Sequence, residues 1–208
     1  MSRYDASDID AYPGTTVLRN KAGIQTQEAL DAFEADVTAL RMLELLDAPI
    51  KGRFDLAHLC AIHRYLFQDV YEWAGMIRTV DISRGNSRFA HAPLIESYLG
   101  AELSKLANEN WLHDLPPVRF VERLAHCMGE INATHPFREG NGRTQRVFCA
   151  QLAEQAGYFI NFETVDQARM YEVMIASYNG TAKPLEGLLS DITAIIEDGD
   201  EGSEGVTD

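Results

Sequence analysis

The chain has 208 residues, 46% of them apolar, enough to close one hydrophobic core. Its 32 acidic residues against 18 basic ones give a formal net charge of −14, which disfavours a surface for nucleic acid or anionic membrane. Cys60, Cys127 and Cys149 share no metal-ligand spacing, the start carries no apolar leader, and no run approaches about 18 apolar residues, so free thiols in a soluble, cytoplasmic chain are expected.

Residues 1–11 are polar and are expected to form a flexible N-terminus. Tyr12-Pro13-Gly14 is a turn signal. Leu30, Phe33, Val37, Leu40 and Leu43 then recur at helical spacing, until Pro49 to Gly52 breaks the pattern. Asp55 is a candidate cap for the next helix, whose apolar side carries Leu56, Leu59, Cys60, His63, Leu66 and Phe67. His58 and His63 lack Cys or carboxylate partners at metal spacing and read as packing or surface residues.

The period changes at Thr79, Val80 and Ile82, which predict a short strand. Ser83 to Ser87 predicts a turn, and Arg88, Phe89 and Ala90 a return strand. The resulting β-hairpin is either an ordinary loop or a flap whose open edge pairs with an extended segment of a target protein. Pro93 opens a helix with Ile95, Leu99, Leu103 and Leu106 inward. Two further helices follow, marked by Phe120, Leu124, Met128 and Ile131, then by Val147, Ala150, Leu152 and Ala153. Tyr158 to Phe162 predicts an extended segment, and Val165, Tyr171, Met174 and Tyr178 another helix. Pro184 to Ile196 predicts a last amphipathic helix, with Leu188, Leu189, Ile192, Ile195 and Ile196 inward. Residues 197–208 are rich in Gly and acid and are expected to be a disordered tail.

The chemistry concentrates between the two middle helices, in His135-Pro136-Phe137-Arg138-Glu139-Gly140-Asn141-Gly142-Arg143-Thr144-Gln145-Arg146. This stretch is a loop running into the first turn of a helix. There the N–H groups have no intrahelical partner and the dipole is positive. Gly140 and Gly142 leave room for an anion-binding nest, so phosphate is the expected ligand. Arg143 and Arg146, three apart, project from one face toward it. A carboxylate at Glu139 beside phosphates requires a cation between them, which points to Mg²⁺. His135 supplies a proton acceptor near neutral pH. Phe137 reads as a core anchor, and Arg138 is given no role. The plainer alternative is a polar helix–loop–helix elbow, but the parts together make one working site.

These residues resemble the signature of Fic-domain proteins, His-Pro/Ala-Phe-x-Asp/Glu-Gly-Asn-Gly-Arg-x-x-Arg, with every defined position filled. The resemblance extends to the stretch from Ile62 to Gly75 and to Tyr12 through Ile24. It implies a mainly α fold over residues 12–196, a Fic-type helical bundle with a small β-hairpin flap beside the active-site loop. It also implies protein adenylyltransferase activity: AMP passes from MgATP to a Ser, Thr or Tyr hydroxyl of a target protein. In that reading His135 is the base. Gly140, Asn141, Gly142, Arg143 and Arg146 bind the ATP phosphates, and Glu139 holds Mg²⁺. Arg88, Phe89 and Ala90 dock the target.

A kinase-like branch of the superfamily carries Lys in place of the second Gly, where this chain has Gly142. The chain also resembles the toxin half of Fic-type toxin–antitoxin pairs. That likeness implies a small antitoxin whose Ser/Thr-x-x-x-Glu-Gly/Asn helix meets the arginine at the position of Arg143. It also implies targets such as type II topoisomerase subunits. Alternatives are a catalytically silent binding module, or self-inhibition through Thr193 and Glu197, which approach the inhibitory pattern at the C-terminus.

Overall fold

The computed structural model describes residues 10–85 and 87–196. Seven α-helices carry it: α1 (Gln27–Asp47), α2 (Leu56–Phe67), α3 (Ile95–Asn108), α4 (Pro117–Thr134), α5 (Asn141–Gln155), α6 (Gln167–Tyr178) and α7 (Lys183–Ile192). Their starts follow from local chemistry. Asp55 Oδ1 accepts the His58 N–H at 2.9 Å, and Asp166 Oδ1 accepts the Arg169 N–H at 2.8 Å. Pro117 stands in the first turn of α4, where its missing N–H costs nothing.

α4 is the centre of the bundle. It buries Phe120, Leu124, Met128 and Ile131 along one stripe and packs against α3, α5, α6 and α7. α5 turns Phe148, Cys149 and Leu152 toward α2 and α4. Truncating a fully buried residue of this pair, such as Leu124, is expected to cost about 2–5 kcal/mol. The fold is mainly α, as expected, and the motif sits on the connection between the two central helices. The three cysteines are free, with Cys127 and Cys149 buried. Among the described residues no helix is long and apolar enough to cross a membrane.

Four expectations need correction. The hairpin ladder is Ser83–Arg84 (β1) against Ser87–Arg88 (β2), so three of its four residues come from the stretch expected to be its turn, and only Arg88 from the expected return strand. The flanking carbonyls of Val80 and Ala90 are taken instead by the Arg78 guanidinium. On α1 the buried residues are Leu30, Glu34, Thr38 and Leu45, while Leu40 and Leu43 are exposed. The helix thus turns two polar side chains inward, which apolar spacing does not reveal. At the N-terminus, Ala11 is buried and bridges Leu18, so residues 10 and 11 are tied down.

The fourth correction is at the C-terminus. α7 stops at Ile192, and Thr193–Ile195 forms β4, antiparallel to β3 (Tyr158–Ile160). The β-branched Thr193 and Ile195 suit a strand, and β3 has no other partner among the described residues. Ile195 and Ile196 are therefore exposed and are not part of the core. The expected tail of residues 197–208, Glu197 included, lies outside the described residues, as do residues 1–9.

Candidate active site

The motif loop is built by its own backbone needs. His135 ends α4 in the left-handed region, at φ 48° and ψ 64°, with its N–H donating to Ile131 O at 2.9 Å. Pro136 follows and disfavours a helical His135. Phe137 is buried and stacks on His63 at 3.9 Å between ring centres. Asn141 closes the loop: its Oδ1 accepts the Phe137 N–H and its Nδ2 donates to Phe137 O, both at 2.8 Å. Its side chain braces the loop in this way, and its backbone N–H lies at the open end of α5. Gly140 has φ 81°, and a Cβ on it would fall 2.2 Å from the Phe67 ring, so no other residue fits.

α5 opens at Asn141, and its first intrahelical bond runs from Thr144 N to Gly140 O at 3.1 Å. The N–H groups of Asn141, Gly142 and Arg143 precede that bond and form the positive end of the helix. The Gly140 N–H turns back onto Glu139 Oε1 at 2.8 Å. Gly142 is exposed, which leaves this helix end open to a ligand.

The two arginines differ. Arg143 Nη2 donates to Glu34 Oε1, and its Nη1 to Thr38 Oγ1 at 3.0 Å. Tyr71 Oη donates to the other Glu34 oxygen at 2.5 Å. Arg146 is half-buried and, among the described residues, has no ion pair and no side-chain hydrogen bond. Burial first, and the charge of Arg143 second, lower its pKa. An anion at this position would compensate its charge.

Glu139 is 7% exposed and lies 3.9 Å from Arg143 Nη2. Among the described residues no three His, Cys, Asp or Glu side chains gather to hold a metal by themselves. One carboxylate beside an anion site suits Mg²⁺, which keeps waters and shares substrate phosphates. The donor set therefore fits a cation that arrives with a nucleotide.

His135 is buried, and its Nδ1 lies 2.9 Å from Asn132 O. A carbonyl only accepts, so Nδ1 carries the proton and Nε2 is the basic nitrogen. Burial, with the charges of Arg78 and Arg84, pushes the ring's pKa down to about 3. The imidazole is thus neutral at neutral pH. The Phe89 ring stacks on it, 3.8 Å between centres and 14° from parallel. The Phe89 N–H donates to Ile82 O at 3.4 Å, the Ala90 N–H donates to Ala133 O at 3.2 Å, and Arg88 O accepts from Tyr178 Oη at 2.5 Å. The structure therefore stacks Phe89 on His135 and sets Glu139 beside Arg143, but engages the main chain of residues 88–90 internally.

Sequence reasoning missed five positions. Glu34, Thr38 and Tyr71 hold Arg143 from more than 70 residues away. Arg78 grips the His135 turn. His63 accepts the Gly75 N–H on Nδ1 at 2.8 Å, so its Nε2 donates to Glu139 O at 3.0 Å. The Trp73-Ala74-Gly75 block was the available signal for the last of these. Gly75 has φ 83°, and a Cβ there would meet Arg64 Cβ at 2.7 Å. Arg138, given no role, is 5% exposed and pairs with Asp10 at 3.4 Å.

With this geometry in view, the chain can be set beside known proteins. Residues 53–153 match the model of the Fic/DOC family. The chain is 44% identical over 191 residues to protein adenylyltransferase VbhT of Bartonella schoenbuchensis, covering 91% of this chain and 40% of that protein. It is 37% identical over 191 residues to the probable protein adenylyltransferase Fic of Escherichia coli, covering 91% of this chain and 94% of that one. The chain thus spans about two fifths of the first relative and nearly all of the second. Among solved structures, BepC of Bartonella tribocorum with bound AMPPNP superposes with a TM-score of 0.85 at 30% identity, over 91% of this chain and 98% of that one.

Proposed function

The chain belongs to the Fic/DOC family, and from that premise we propose that it is a protein adenylyltransferase, moving AMP from ATP to a Ser, Thr or Tyr hydroxyl of a target protein. The observation that carries this reading is Arg146. It is a half-buried guanidinium without an acidic partner among the described residues, beside the open end of α5. Desolvating a cation this way is unfavourable unless an anion arrives. The names of the relatives and the AMPPNP bound to BepC support ATP as that anion.

In the proposed reaction His135 Nε2 takes the proton of the target hydroxyl. The oxygen forms a bond to the α-phosphorus, the bond to the bridging oxygen breaks, and pyrophosphate leaves. The N–H groups of Gly142 and its neighbours, with Arg146 and Arg143, hold the charge that spreads over the phosphates. Mg²⁺, held by Glu139, would add a positive charge against those oxygens. Most of the catalytic work is then positioning and electrostatics. The hairpin presents the target. With residues 88–90 engaged through their main chain, docking rests on exposed side chains such as Arg88.

We also propose that a small antitoxin-like partner restrains the enzyme by placing a helix carboxylate against the phosphate site. Because Arg143 already pairs with Glu34, that carboxylate would meet Arg146 instead of Arg143. The deciding experiment incubates the chain with ATP radiolabelled at the α- or the γ-phosphate in bacterial lysate. Label on protein from the α-position supports adenylyl transfer. Label only from the γ-position identifies a kinase, and none identifies a binding module.

A further inference from the structure

Arg78 lies outside the motif, and its side chain is buried, the whole residue 5% exposed. Its guanidinium reaches four main-chain carbonyls. Nε donates to His135 O at 2.7 Å. Nη2 donates to Thr134 O at 3.1 Å and to Ala90 O at 2.5 Å. Nη1 donates to Val80 O at 2.7 Å. The Arg78 backbone N–H adds a fifth bond, to Pro136 O at 2.9 Å. Its acidic partner, Asp81, is 3.9 Å away and also accepts from the Ala92 N–H.

Two physical problems meet in this one side chain. The last carbonyls of α4 have no intrahelical partner and sit at the negative end of the dipole, and α4 has no basic residue in its last turn. Arg78 supplies that cation from 57 positions earlier in the chain. His135 also holds a left-handed conformation that is unfavourable for a residue with a Cβ, and it needs outside support. The same fork takes Val80 O and Ala90 O on the two approaches to the hairpin. One guanidinium therefore links the turn bearing the imidazole to the base of the hairpin that presents the target.

We propose that Arg78 is a positioning residue for adenylyl transfer. It fixes the distance between the hairpin and His135, so that a hydroxyl presented on one meets Nε2 of the other. The proposal rests on the adenylyltransferase reading for its assay. Lys cannot replace Arg here, because a single ammonium cannot span four carbonyls on two segments as a planar fork does.

The test uses the full chain, ATP labelled at the α-phosphate, and bacterial lysate as the source of acceptor. Nucleotide affinity is measured separately with a fluorescent ATP analogue. Arg78→Lys should keep its nucleotide affinity and cooperative urea unfolding, while the transfer rate falls by about a hundredfold, the effect of an ångström-scale misplacement. Arg78→Ala should regain transfer with added methylguanidinium, with no matching change in nucleotide affinity. If the wild-type chain labels nothing, the adenylyltransferase reading fails and the fault is not with Arg78. If wild type labels and Arg78→Lys labels equally fast, the proposal is overturned. A parallel loss of affinity and rate, an unfolded Arg78→Lys chain, or no rescue of Arg78→Ala would assign the residue to the fold alone.

Discussion

Glu34 on the first helix holds Arg143 on the fifth: Arg143 Nη2 donates to Glu34 Oε1, while Tyr71 Oη binds the other oxygen at 2.5 Å. Both partners are well buried, with side chains 4% and 16% exposed. Water therefore competes little for either of them. Glu34→Gln removes the charge and keeps the shape. It is expected to lower stability by about 1.5–3 kcal/mol, the worth of a hydrogen bond to a charged group. Urea unfolding measures this, and a double-mutant cycle with Arg143→Met should give a coupling of about 0.5–3 kcal/mol. Additive effects would show that the two residues do not act as a pair.

His135→Ala is expected to abolish transfer and leave ATP binding intact. In the proposed reaction the base acts on the acceptor hydroxyl, whereas the nucleotide would be held by the end of α5 and Arg146. General-base catalysis is worth roughly 10²–10⁴-fold. Mutant labelling above about a hundredth of the wild-type rate would count against the assignment. Calorimetric titration with ATP checks the other half of the prediction.

The parts of this site that lie within one short stretch were legible in the sequence; the parts joined across the chain were not. Gly140 is needed because a Cβ would strike Phe67, and the loop-into-helix reading followed from Gly140, Gly142 and the apolar stripes on either side. By contrast, Glu34 reads as one more acidic residue in an acidic chain, and apolar spacing placed the buried face of α1 along Leu40 and Leu43. Arg78 reads as a surface charge until the carbonyls it meets are known. Nothing local marks these residues, because each bonds to a segment dozens of residues away. The last helix was overextended for a related reason. Ile195 and Ile196 fit a helical stripe, but strand pairing with Tyr158–Ile160 wins, and only the tertiary fold supplies that partner.

The pH dependence follows from the burial of His135, which lowers its pKa from 6.5 to about 3. The ring stays neutral as pH falls from about 7 to about 5, so the acid limb of the transfer rate should lie well below the usual imidazole range. For stability the sign is set by the unfolded chain, where the same ring binds a proton near 6.5 while the folded ring refuses it. Stability should therefore fall as pH drops from about 6.5 toward 3, by up to about 1.4 kcal/mol per pH unit from this residue. His135→Ala should show a shallower slope in urea unfolding across that window. An acid limb at the ordinary imidazole pKa would show that the ring is hydrated in the working enzyme.

Glu139 is expected to act through Mg²⁺. Its Oε1 already accepts the Gly140 N–H, which holds the carboxylate at the N-terminal end of α5. Glu139→Ala should lower the transfer rate and shift its dependence on Mg²⁺ to higher concentration, since phosphate oxygens and water alone would then hold the ion. A mutant with the wild-type Mg²⁺ titration would refute the role.

Glu197→Gly is expected to leave the transfer rate nearly unchanged. The Ser/Thr-x-x-x-Glu spacing puts its two ends on one face only in a helix. Thr193, however, leaves the helical region at φ −101° and ψ 133° and enters β4. The described strand also ends far from the phosphate-binding end proposed for α5. β4 pairs with β3, which follows the C-terminal end of α5, and the Ile196 N–H is bonded to Gly157 O at 2.9 Å. Arg143 is in the first turn of α5, about 18 Å away along the axis at 1.5 Å per residue. A carboxylate that silences the phosphate site should then come from another molecule, and a peptide helix carrying the Ser/Thr-x-x-x-Glu-Gly pattern should suppress labelling when added in trans. Strong self-labelling gained by purified Glu197→Gly protein would show instead that the chain inhibits itself.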